Sequence, residues 1–98
     1  MNETNLIRIL VLDKGFVIVC RCEDPNGFPF WLPVTNSRTI RRWGTTEGLG
    51  QLCTGPTTDT VLDKEIQSET IPCRAIVRVI DVDQKKWSKH LSPVGGKK

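Results

Sequence analysis

The chain has 98 residues, 38% of them hydrophobic and 26% charged, with 8 Gly and 6 Pro. That composition suits one globular domain with one modest core and excludes collagen, coiled coil and general disorder. Fourteen Lys and Arg against eleven Asp and Glu leave a formal charge of +3 spread over both halves, too mild for a protein that relies on a dense basic stripe.

Residues 1–5 are polar and read as a loose terminus. Leu6–Leu12 reads as a buried strand, Asp13-Lys14-Gly15 as a turn, and Phe16–Cys22 as a second strand, so the pair predicts a hairpin. Asp24-Pro25-Asn26-Gly27 is a turn signal. Phe28–Val34 carries Pro29 and Pro33 and predicts an edge or irregular strand, continued in extended form through Thr35–Ile40. Trp43–Thr46 breaks the strand pattern, and Thr46–Cys53 follows as a short helix. Thr45 is its expected N-cap, and Leu49, Leu52 and Cys53 share one face. Gly55-Pro56 supplies the stop.

Val61-Leu62 is a short element in a polar stretch, and Lys64–Glu69 reads as a solvated connection. Ile71–Val82 predicts one long strand. Cys73, Ala75, Val77 and Val79 fall on one face, expected to be core; Arg74, Ile76, Arg78 and Ile80 fall on the other, a potential partner surface. Lys85–His90 predicts a last helical turn around Trp87. Residues 1–91 are expected to form a single globular domain and 92–98 a flexible tail.

The expected fold class is α+β: a small antiparallel, partly barrel-like sheet of about four to six strands with one short helix packed on it. Homo-oligomerisation is expected, because a small core and the mixed Arg/Ile face both gain from a partner. The apolar stretch Leu6–Val19 is interrupted by Arg8, Asp13 and Lys14, and no small-residue cleavage site follows. That pattern predicts neither signal peptide nor membrane span, hence a cytoplasmic protein with Cys20, Cys22, Cys53 and Cys73 reduced.

Arg41-Arg42-Trp43-Gly44-Thr45-Thr46-Glu47-Gly48-Leu49-Gly50 is the segment most suited to chemistry. Free N–H groups at a helix start bind anions, and Arg41 and Arg42 add planar bidentate donors. Thr45 and Thr46 supply hydroxyls, Trp43 a stacking face, and Gly44, Gly48 and Gly50 room for close approach. The same residues also suit a turn, a cap and close helix–sheet packing. The segment lacks the Lys-Ser/Thr ending of a phosphate-binding P-loop. Adjacent strand residues point apart, so both arginines serve one ligand only across a bulge or bend.

Other candidates are thinner. Cys20 and Cys22 share a strand face, and with Cys53 and Cys73 would make four zinc thiolates, but the usual knuckle spacing is absent. His90, the one histidine, has no visible orienting partner. Asp81 and Asp83 suit either a divalent cation or a solvated strand end. Phe28, Phe30 and Trp31 are expected in the core; an exposed Trp31 would instead mean a partner or base-stacking surface. No nucleophile elbow, HExxH or acid–base pair is present, so no enzyme and no cofactor is predicted, and a small nucleotide-processing enzyme stands only as a third reading.

The run Ile40-Arg41-Arg42-Trp43-Gly44-Thr45-Thr46, then Gly48-Leu49-Gly50, Gly55-Pro56-Thr57 and Thr60-Val61-Leu62-Asp63, with Lys14–Val19 upstream, resembles a family of small phage and prophage proteins. The resemblance covers most of residues 9–87 and implies a phage protein that works by binding. The expected function is anti-defence: sequestration of a phosphate-bearing nucleotide immune signal at Arg41–Gly50. The alternative is a phage inhibitor that binds a host defence protein or nucleic-acid complex directly.

Overall fold

A computed structural model describes residues 6–92. Within them the chain forms an antiparallel sheet of six strands, not closed into a barrel, with one short helix. The expected α+β class is therefore the observed one. The strands are β1 (Leu6–Leu12), β2 (Val17–Cys22), β3 (Trp31–Arg42), β4 (Val61–Leu62), β5 (Ile66–Pro72) and β6 (Ile76–Asp81); the helix α1 is Gln84–Ser88. Their order across the sheet is β4-β3-β2-β1-β6, with β5 alongside β4 on the same side of β3.

The hairpin forms as expected, from Leu6 opposite Cys22 to Val11 opposite Val17. Its turn uses positive φ at Lys14 (64°) and Gly15 (88°). β1 is buried on both faces because both faces of the sheet are covered. Ile7 and Ile9 join Val17, Val19, Ile40, Leu49, Leu52, Trp87 and Leu91 in one cluster, under α1 and the 3-10 turn Leu49–Thr54. Leu10 joins Ile18, Cys20, Cys22, Leu32, Val34 and Ile71 on the opposite face.

That second face is covered by the sheet's own curl. β5 and β6 lie at opposite edges with three strands between them, a separation of roughly 19 Å in a flat sheet. A single 3-10 turn, Cys73–Ala75, joins them, and so short a link reaches at most about 14 Å. The edges must bend toward each other at that end. They do not pair with each other, so a seam stays open along the outer side of β6.

Four sequence expectations need correction. β3 is an edge only at its start: Trp31–Pro33 pair with β5 alone, and from Val34 onward the strand is interior, with β2 on one side and β5 and β4 on the other. It tolerates Pro33 because the β2 ladder has ended one position before it, at Cys22–Val34. The polar run after Lys64 is β5, held by backbone pairing to β3 from Trp31–Pro72 to Ser37–Ile66. Ile71–Val82 is not one strand: the turn at Cys73–Ala75 carries the chain from one sheet edge to the other. Val77 and Val79 are consequently exposed, at 59% and 41%, while Ile76 and Ile80 pack against the cores.

The fourth is the helix expected over Thr46–Cys53. It is a 3-10 turn over Leu49–Thr54, with Gly48 (φ 97°) as N-cap instead of Thr45. Two glycines in five residues disfavour an α-helix. The helical turn around Trp87 forms as α1, N-capped by the Asp83 carboxylate accepting from the Lys86 N–H at 3.0 Å. The expected tail begins at Ser92, whose N–H donates to Glu65 Oε1 at 2.9 Å and whose carbonyl accepts from Arg21 Nε at 3.2 Å. Residues 93–98, like 1–5, lie outside the described residues.

Candidate functional site

The segment Arg41–Gly50 runs from the end of β3 into the 3-10 turn. The β3–β4 register shifts between Ile40 and Arg42, so the irregularity that two adjacent arginines need is present at Arg41. Arg41 Nε donates to Asp63 Oδ1 at 2.7 Å, so its charge is engaged. Arg42 and Trp43 are exposed, and Arg42 makes no ion pair among the described residues. The backbone N–H groups of Thr46 and Glu47, which could cradle an anion, both donate to Gln51 Oε1, at 3.0 and 2.8 Å.

Behind this surface the chain is latched. Thr57 Oγ1 donates to the Gly44 carbonyl and Thr60 Oγ1 to the Trp43 carbonyl, each at 2.6 Å. Gly44 has φ 67°, and a Cβ there would stand 2.3 Å from the Asp59 carbonyl carbon. Gly44 is thus required by close packing within the chain. A Cβ at Gly48 or Gly50 meets nothing within 4 Å, so at these positions space is not the constraint. Thr45 is half-buried and Thr46 exposed.

Arg38 is a structural staple. Its guanidinium donates to the carbonyls of Asp63 (2.7 Å), His90 (3.0 Å) and Leu62 (3.4 Å). It is therefore not free to join a basic stripe with Arg74, in the turn beside Phe30, or with Arg78, on β6. His90 sits edge-on to Trp87, with ring centroids 5.9 Å apart. Cys53 belongs to the 3-10 turn on the opposite face from Cys20 and Cys22, and no group of three or more His, Cys, Asp or Glu suited to a metal occurs among the described residues. The hydrogen bond with Cys22, reinforced by burial, pushes the Cys20 thiol up, which keeps it protonated.

A larger exposed aromatic surface than Trp43 lies elsewhere. Phe30 and Trp31, expected in the core, are 74% and 58% exposed. With Pro29, Pro72 and the exposed Arg74 they line a shallow cleft of about 130 Å³. Phe30 precedes β3 and Arg74 lies in the turn between β5 and β6. The Cys73 N–H donates to the Phe30 carbonyl at 2.9 Å and fastens the two segments together. The sequence signal that could have found this surface is the pair of prolines bracketing Phe30 and Trp31, which keeps that chain out of a regular two-sided ladder.

Two larger clefts continue along the open seam. One of about 370 Å³ is lined by Phe28, Cys73, Ile76 and Arg78. It shares Pro25, Asn26 and Val79 with the next, of about 580 Å³, which also contains Arg8, Asp24 and Asp81. None of these three clefts is lined by residues 41–50. No protein-family model matches the chain, and no curated protein or solved structure compared with it does either. No helix among the described residues is long and apolar enough to cross a membrane.

Proposed function

We propose that this is a phage binding protein that takes unpaired, phosphate-bearing nucleotides presented by a host nucleic-acid complex, and acts by holding them. The observation that carries the reading is the exposure of Phe30 and Trp31 beside Arg74. Large aromatic faces left in water beside a cation match the two needs of an unpaired nucleotide, a stacking surface for the base and a positive charge for the phosphate. The cleft is smaller than the ~300–1,000 Å³ of an enclosing ligand pocket, which favours an open platform over sequestration of a free signal. The phage setting rests on the resemblance of residues 40–63.

Arg42 and Trp43 form a second basic and aromatic pair at the far end of β3. The twelve residues of that strand put the two pairs on the order of 30 Å apart. They cannot share one small ligand, but they can contact one extended partner.

The test is fluorescence anisotropy with a labelled single-stranded (dT)6, a matched duplex and the dinucleotide pTpT. Binding of (dT)6 over duplex is expected, with roughly tenfold or greater loss in Phe30→Ala/Trp31→Ala, since each stacked base contributes ~1–3 kcal/mol. Both side chains are exposed, so folding should be unaffected. Unchanged affinity in that variant, or equal binding of duplex, overturns the reading. If pTpT binds as tightly as (dT)6, sequestration of a nucleotide signal replaces it.

A further inference from the structure

The largest cleft on the seam holds an arrangement that a phosphate would not choose. Arg8 is 91% buried, being 9% exposed, and its Nη1 has no hydrogen-bond partner. It stands opposite Asp81 in the β1–β6 register. Asp81 and Asp24 line the same cleft, yet Arg8 forms no ion pair with either among the described residues. A cation buried without its full set of acceptors is costly, and the cost is relieved when a ligand supplies one.

Two carboxylates against one guanidinium make the cleft net negative, which repels a phosphate. The fitting ligand is uncharged and carries acceptors for Arg8 beside donors for a carboxylate. Among the common bases guanine alone has two adjacent donors on one edge, N1–H and the N2 amine, which a carboxylate accepts together. Its O6 and N7 acceptors are the pair that arginine recognises with two hydrogen bonds. Gln84 is not free to compete. Its carboxamide is spent on the Ile7 N–H (2.8 Å) and the carbonyls of Ile7 (2.9 Å) and Val82 (3.1 Å), forming a fixed wall.

We infer that the cleft formed by Arg8, Asp24 and Asp81 is a guanine-selective subsite at the end of the nucleotide-binding seam. The inference takes its ligand class from the proposed function. The seam supplies the connection, because the middle cleft offers Phe28 and Arg78 between this subsite and the Phe30–Trp31–Arg74 platform.

The experiment compares labelled (dT)6 with the same hexamer carrying one dG, and with one carrying deoxyinosine, which lacks the N2 amine. A parallel NMR titration uses guanosine alone. One dG should tighten binding by roughly tenfold, the worth of one good bidentate contact. Deoxyinosine, which keeps O6, N7 and N1–H, should fall between dT and dG. Asp81→Asn, at an exposed position, and Arg8→Met should abolish the dG preference and leave (dT)6 binding intact. Arg8 is buried, so Asp81→Asn serves as the test should Arg8→Met not fold. Binding of (dT)6 with no dG preference overturns the subsite and leaves the platform standing. Guanosine shifts at Arg8 and Asp81 without any (dT)6 binding keep the subsite and overturn the platform. Absence of both overturns both.

Discussion

Gly44 shows how a residue with the look of a ligand contact can be fixed by its own chain. Its φ of 67° lies in the left-handed region, and the added Cβ would meet backbone that two threonine latches hold in place. Gly44→Ala is therefore expected to cost about 2–3 kcal/mol, combining strain with a clash against atoms that cannot swing away. Urea denaturation checks this; a loss under 0.5 kcal/mol would show that the 57–60 loop yields freely. Gly48→Ala has strain without the clash and should cost less.

Glu65 gives the molecule a defined acid sensitivity. Burial alone would raise its carboxyl. The Ser92 backbone N–H and the Asn36 side chain, with Arg38 nearby, outweigh burial and hold it below its ordinary value. The unfolded chain then binds the proton more readily. The stabilisation is fully present above the ordinary carboxylate pKa of about 4.3 and is lost as pH falls through the lower folded value. Thermal melts of the protein and of Glu65→Gln should differ most near neutral pH and converge as pH falls through the lowered folded-state value. A difference that does not depend on pH would mean that the carboxylate charge contributes nothing.

At the scale of elements, legibility followed apolar content. β1 and β2 are buried on both faces and announce themselves as near-continuous apolar runs. α1 was legible because Trp87 anchors it, fully buried and donating from Nε1 to the Leu52 carbonyl at 2.8 Å. Trp87→Phe should keep most of the burial but remove one of two hydrogen bonds at that carbonyl, which also accepts from the Gly55 N–H at 3.0 Å, costing about 0.5–1.5 kcal/mol in the same urea measurement. A neutral substitution would mean that the Gly55 N–H satisfies the carbonyl alone. β5 was illegible for the converse reason. It is an edge strand whose Gln67, Ser68 and Thr70 face solvent, so it has no apolar period and is held by its ladder to β3. The break at Cys73–Ala75 was hidden too, because the alternation runs on through it in sequence while the chain crosses to the other edge.

The candidate site divides the same way. Exposure of Phe30 and Trp31 follows from where two distant segments meet, and composition alone places aromatics in the core. Arg8 looked like an interruption in an apolar strand; its burial depends on β6 and the Asp24–Gly27 turn closing around it. The Arg41–Gly50 run was legible as unusual, and the latching behind it shows that part of that unusual character serves the loop's own geometry.

For the whole molecule the decisive quantity is how little charge there is to spend. A net +3 on 98 residues cannot hold a polyanion by counterion release alone, so stacking must supply most of the affinity. Among the described residues on the seam only Arg74 and Arg78 stand exposed for phosphates. Two contacts to a single strand predict a log–log salt slope of about −1.4, and Arg74→Glu or Arg78→Glu should each lower its magnitude by at least ~0.7. Binding of (dT)6 measured from 50 to 300 mM salt checks this. A slope of magnitude above about 3 would require more phosphate contacts than the seam offers and would move the interface to a surface that includes Arg42 and the lysines of α1. A slope near zero would leave Phe30 and Trp31 as protein-docking residues, with a host protein as the partner in place of a nucleic acid.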